Sequence, residues 1–141
     1  MTSDPRPRTS TGAIVLAVVL DVALVVAFAA IGRASHDSDI WAGLGQTAWP
    51  FLVGLAVGWV ATLAWRAPAA PMRTGLGVWA ATIVVGMLLR ATSGQGTAVP
   101  FVIVACVTLF AALVGWRLVA ALVRGARRAR AENRSADPAR G

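Results

Sequence analysis

Residues 13–31 read AIVLAVVLDVALVVAFAAI, an apolar stretch interrupted by one carboxylate, Asp21. At a 1.5 Å rise per residue, a helix of about 20 residues matches the roughly 30 Å hydrocarbon thickness of a bilayer. Apolar side chains occur all round the helix, so no polar face is left for water. Upstream, residues 1–12 are polar and carry Pro5, Pro7, Arg6 and Arg8, and are expected to be a disordered arm. Arg6 and Arg8 before an apolar stretch, with Ala27-Phe28-Ala29 beyond it, also fit a signal peptide; the mid-stretch carboxylate and the length of the run argue against cleavage.

Working outward, the same pattern recurs. Gly32 and Arg33 end the first span (13–32), and a polar loop through Ser35, His36, Asp37 and Asp39 follows. The expected further spans are 47–65, opened by Trp49-Pro50, then 75–90, which is short, and 98–118, opened near Pro100. Proline in a first turn removes no helix hydrogen bond. The short third span has to draw on flanking residues or tuck inside the bundle to cross. The fold class is therefore all-α, a four-helix transmembrane bundle over 13–123, with a basic tail over 124–141 expected to fray.

Composition agrees. Apolar residues make up 57 % of the 141 residues and charged ones 13 %, with a mean hydropathy of +0.71; soluble domains carry roughly a quarter charged residues. All thirteen cations are arginine, tyrosine is absent, and Ala, Gly and Val abound, a bias typical of GC-rich prokaryotic genomes. Cys106 is the single cysteine and can form neither an internal disulfide nor a multi-cysteine metal site.

Arginine placement sets the expected orientation. Arg6 and Arg8 in the arm, Arg66 and Arg73 in the middle connection, and Arg117, Arg124, Arg127, Arg128, Arg130, Arg134 and Arg140 towards the end fall on one side. The alternate connections hold only Arg33 and Arg90. By the positive-inside rule both termini are cytoplasmic, in a prokaryotic plasma membrane. The basic tail is best explained by attraction to anionic lipid and by fixing topology, not by nucleic acid.

A repeat is also visible. Gly45-Gln46-Thr47-Ala48-Trp49-Pro50-Phe51 returns, with one inserted glycine, as Gly94-Gln95-Gly96-Thr97-Ala98-Val99-Pro100-Phe101, and Trp65-Arg66 returns as Trp116-Arg117. The reading is a duplicated helical hairpin related by an axis along the membrane normal; the competing reading is the compositional likeness of apolar segments.

Asp21 is the leading candidate for chemistry. It lies about 12 Å inside the first span, where a bare carboxylate costs roughly 2.5–3.5 kcal/mol, so it should face the bundle interior. With no arginine expected at that depth, its partners are expected to be Thr62, Thr82, Thr108 and the indoles of Trp59 and Trp79. Two readings stay open: a proton or cation relay, or a hydrogen-bonded packing lock, for which Asp21→Asn would be nearly silent. Arg33 and Arg90, at matching span ends, either converge as a cationic pair for a carboxylate or phosphate, or snorkel to headgroups. Arg33 also has Asp37 and Asp39 within reach as partners.

His36, Asp37 and Asp39 fall short of a zinc ligand set and read as a solvated loop. No metal, cofactor or catalytic constellation is expected, and the chain does not read as an enzyme. Gly54-x-x-x-Gly58, Ala23/Ala27, Gly77/Ala81 and Ala111/Gly115 permit close helix approach, and Trp41, Trp49, Trp65 and Trp116 fit an aromatic belt.

The order Asp21…Phe28…Gly32-Arg33…Ser35-His36, Trp49-Pro50-Phe51…Gly54…Gly58-Trp59, Trp79…Gly86-Met87…Arg90, Gly96-Thr97-Ala98…Phe101 and Gly115-Trp116-Arg117 resembles a family of small prokaryotic four-helix membrane proteins known as domain of unknown function 3054. The resemblance covers about residues 13–118 and implies the four-span architecture, with no activity or substrate attached. Expected function is that of a small oligomeric transporter or channel-like protein, or else a structural or accessory subunit docking to another membrane protein. A polar cavity reaching Asp21 would favour transport; a dry core with an exposed small-residue face would favour the accessory role.

Overall fold

A computed structural model describes residues 9–34 and 40–136. Helix α1 spans Thr11–Ala34, α2 Ile40–Ala61, α3 Leu76–Thr92 and α4 Val99–Ala136. A short 3₁₀ turn, Ala64–Arg66, and a π turn, Pro71–Gly75, lie between α2 and α3. Four helical segments are long and apolar enough to cross a bilayer. They pack as an up-down square, α1 on α2, α2 on α3, α3 on α4 and α4 back on α1, the last contact being the sparsest of these. Residues 1–8, His36, Asp37 and Asp39 lie outside the described residues, as does the side chain of Trp41.

Burial runs inside-out, as a membrane protein requires. Leu16, Ile31, Val60, Leu88, Val107 and Leu122 face outward, while Val25, Phe51, Leu55, Val78, Leu109 and Leu113 fill the centre. On α1 the buried positions are Ala17, Asp21, Val25, Phe28 and Ala29. Three- and four-residue spacing puts them on one stripe, which carries the carboxylate inward.

Small residues fix the α2–α3 contact. A Cβ on Gly54 would stand 2.8 Å from the Thr82 carbonyl oxygen, and one on Gly58 2.9 Å from Val78 Cα. The glycine pair is thus spent inside the bundle, letting two backbones meet. Thr82 donates its hydroxyl to the Val78 carbonyl of its own helix, so the α3 face offered to α2 carries no unpaired hydroxyl.

Several boundaries depart from expectation. Helix α2 begins at Ile40, so Pro50 is interior and buried, not at a helix start. Its missing N–H is the kind of defect that transmembrane helices tolerate inside a bundle. The third span lengthens to Pro71–Thr92, because Pro71 opens the π turn that runs directly into α3. Helix α4 does not fray after Arg124 but continues to Ala136, carrying Arg124, Arg127, Arg128, Arg130 and Arg134 against one carboxylate, Glu132. At about 57 Å it outruns a bilayer core, and residues 122–136 are exposed on every side.

The repeat landmarks also fall in unlike places. Pro50 is deep within α2 and Pro100 in the first turn of α4; Trp65 is exposed in the 3₁₀ turn and Trp116 lies within α4. Arg33 and Arg90 alone keep comparable positions, each in the last turn of its helix.

Candidate functional site

Two polar clusters sit at opposite ends of the bundle. The first centres on Asp21, which is fully buried, as is its partner Arg117. The guanidinium grips the carboxylate with both arms, Nη1 donating to Oδ1 at 2.9 Å and Nη2 to Oδ2 at 2.6 Å. Trp59 Nε1 donates to Oδ2 and Trp116 Nε1 to Oδ1, each at 2.9 Å. Every hydrogen bond Asp21 accepts here therefore comes from an N–H donor, which satisfies an ionised carboxylate.

Arg117 is equally engaged. Its Nη1 also donates to the Leu113 carbonyl at 2.6 Å and its Nε to the Pro68 carbonyl at 2.9 Å, and its guanidinium stacks 4.5 Å from the Trp116 ring centre. The α2–α3 connection closes over the pair. Leu63 takes a left-handed conformation (φ 51°) that turns the chain, the Thr74 hydroxyl donates to the Ala67 carbonyl, and Arg124 of α4 and Thr9, just before α1, donate to the Ala69 and Arg66 carbonyls.

This replaces the expected polar site. An arginine does sit at the depth of Asp21, and the threonines do not join it. Thr62 donates to Gly58 O and Thr82 to Val78 O, each within its own helix turn, while Thr108 is exposed on the outer face of α4. Trp79 donates to the Cys106 carbonyl instead. Of the residues named from sequence, only Trp59 is a direct partner. The signal that pointed to Arg117 was its setting: Leu113-Val114-Gly115-Trp116 before it and Leu118-Val119-Ala120-Ala121-Leu122-Val123 after it keep the arginine inside an apolar run.

The second polar cluster contains Arg33 of α1 and Arg90 of α3. Both line a cavity of about 610 Å³ bounded by all four helices and the α3–α4 turn. Its walls are mainly apolar: Phe28 and Ala29 from α1, Pro100, Phe101 and Val104 from α4. Gly94 (φ 71°) and Gly96 (φ 75°) bend the turn, so that Arg90 Nη1 donates to Gln95 Oε1 at 3.0 Å and Nη2 to the Gln95 and Gly96 carbonyls. The Arg90 guanidinium lies 4.3 Å from the Phe101 ring centre. Its Nε has no partner among the described residues, although Arg90 is only 8 % exposed. Arg33 Nη1 donates to Thr47 Oγ1 at 3.4 Å, and its guanidinium fills the space beside Gly43 where any Cβ would clash.

Between the clusters the core is apolar. Val25, Leu55, Ala105 and Leu109, each no more than 4 % exposed, separate the aromatic group Phe28, Phe51 and Phe101 from Asp21. Neither Asp21 nor Arg117 lines the cavity. Among the described residues no group of His, Cys, Asp or Glu could hold a metal ion.

With this architecture in view, a family model matches residues 18–120. The chain belongs to that family, the proteins of unknown function designated DUF3054. No curated protein and no solved structure matches it. The matched region holds both clusters, since Asp21, Arg33, Arg90 and Arg117 all fall within it.

Proposed function

We propose that this chain is a non-conducting, non-catalytic membrane protein, a rigid structural or accessory bundle of a prokaryotic plasma membrane with both termini in the cytoplasm. The observation that supports this reading is the saturated Asp21–Arg117 pair behind dry apolar layers. A relay needs a group that can exchange a proton with water or with a neighbour. This carboxylate is enclosed by N–H donors and capped by the α2–α3 connection. Breaking a buried pair costs about 3–5 kcal/mol, so the closed state dominates. The arginine-rich extension of α4 would then ride at the anionic lipid surface and hold the orientation.

A second reading, a small anion carrier, draws on the two-arginine cavity. It requires the Asp21–Arg117 pair to open in every cycle. Purified protein in liposomes loaded with a pH-sensitive dye, under an imposed proton gradient and in chloride or phosphate buffer, separates the two. The proposal expects gradient decay at the rate of protein-free vesicles. Faster decay in wild-type vesicles, lost in Asp21→Asn, would overturn it in favour of the carrier.

A further inference from the structure

The outer side of α4 carries a face that one protomer does not use. At about 100° per residue, Thr108, Ala111, Gly115 and Leu118 stand in one row, turned away from the buried Leu109, Leu113 and Arg117. The row continues through Leu122, Ala126, Ala129 and Asn133, past the end of the apolar sequence and into the exposed extension. Apart from half-buried Gly115, every member is exposed. The charged residues of the extension, Arg124, Arg127, Arg128, Arg130, Glu132 and Arg134, all lie on other sides of the helix.

Two members of the membrane part have no purpose inside the bundle. Thr82 and Thr92 each donate to a carbonyl of their own helix, whereas the Thr108 hydroxyl has no partner among the described residues. It stands about 14 Å into α4, at a depth where water cannot satisfy it. Glycine weakens a helix relative to alanine, yet a Cβ on Gly115 would meet nothing within 4 Å. Gly54, Gly58 and Gly86, by contrast, each leave room for an adjoining helix that a Cβ would strike.

One occupant fits the whole row. Lipid can cover its membrane half but not the half that stands in water, and a soluble partner has the opposite limit. The row needs a helix that spans the bilayer and then continues about 17 Å beyond it, from Leu122 to Asn133. The α4 helix of a second copy has that length, and two copies of one sequence insert with the same direction. Joined along this row, the backbones approach at Ala111 and Gly115, and each Thr108 hydroxyl meets its twin. Asn133 meets Asn133, an uncharged pairing that fixes register in a parallel pair. The arginines stay on the outside, whereas pairing through the opposite side of the extension would press them together. The extension, marginal as a helix in water when nothing packs on it, gains a support that one protomer lacks. We infer that the protein forms a parallel homodimer through this outer face of α4, from Thr108 in the membrane to Asn133 beyond it.

The test uses the full-length protein in bilayers of phosphatidylcholine and phosphatidylglycerol, with Cys106→Ser and one new cysteine at a time. Oxidation should join two copies at Leu118→Cys and at Ala129→Cys, and leave Phe110→Cys and Arg127→Cys, on other sides of α4, unjoined. Sedimentation equilibrium in density-matched detergent should find two copies per particle. Gly115→Leu should weaken the dimer by about tenfold or more, the scale of one overpacked contact. Its tryptophan emission should stay that of the wild type, since the added side chain meets nothing in its own protomer. Arg127→Gln should leave the dimer intact. A monomeric wild type, equal joining at all four cysteine positions, or a dimer indifferent to Gly115→Leu would each overturn the inference. Joining at Leu118→Cys without Ala129→Cys would overturn the parallel arrangement. In native membranes, joining to a different polypeptide at both positions and never to a second copy would overturn the occupant.

Discussion

The Asp21–Arg117 pair makes a quantitative prediction that separates an interlocked unit from two independent polar residues. Removing either partner strands the other in a dry interior, at a cost of about 3–5 kcal/mol. For Asp21→Ala the losses are a buried guanidinium without its anion and two indole N–H groups, of Trp59 and Trp116, without acceptors. For Arg117→Met the carboxylate is stranded, and the Pro68 and Leu113 carbonyls lose a donor. Independent effects would sum to about 6–10 kcal/mol in the double variant. A true unit gives a double variant close to the worse single one, because no charge is left uncompensated. Even Asp21→Asn should not be silent. Every partner of Asp21 is a donor, so whichever oxygen becomes an NH₂ meets an N–H head-on. Reversible unfolding in mixed micelles, followed by tryptophan fluorescence, reads both effects, since two of the six tryptophans touch the pair. Additive single and double losses, or a silent Asp21→Asn, would refute the reasoning.

Other consequences are as direct. Reporter fusions after Arg66 and after Arg128 should report cytoplasm, and fusions near His36 and Gly94 the opposite side; a periplasmic signal after Arg66 would contradict the arginine bias. Gly58→Val should cost about 1–3 kcal/mol of stability through overpacking against Val78, whereas Gly115→Ala, where a Cβ meets nothing within 4 Å, should stay within about 0.5 kcal/mol. Replacing Arg127, Arg128, Arg130 and Arg134 with glutamine should free the α4 extension from anionic vesicles by about 1 kcal/mol per arginine. A spin label at Ala131 in a Cys106→Ser background would then gain mobility, and unchanged mobility would argue that the helix stands clear of the surface.

The four-span bundle was legible because bilayer thickness and apolar run length are one-dimensional quantities, and residues 13–31 state them openly. Depth was legible too: Asp21 is buried, and the inward stripe of α1 carries it. Its partner was not, because Arg117 was read as a flank of the fourth span and grouped with the topological arginines. The apolar residues through Val123 show that the flank begins later. The start of α2 was misplaced for a related reason. Pro50 resembles a helix opener, yet a buried bundle position tolerates the missing N–H that an isolated helix would not. That Arg33 and Arg90 line one cavity was not fixed by the sequence, since it depends on how α1 and α3 rotate about their axes.

The ion pair joins the first helix to the last, 96 residues apart in sequence, and this sets a schedule for biosynthesis. At roughly 5–20 residues per second, the carboxylate of α1 waits on the order of 5–20 s before its cation leaves the ribosome. Throughout that interval the nascent protein carries an orphan acid in a segment already apolar enough to partition into lipid. A chain truncated anywhere before Arg117 never relieves it. Completion of α4 is therefore the event that compensates the buried charge of α1.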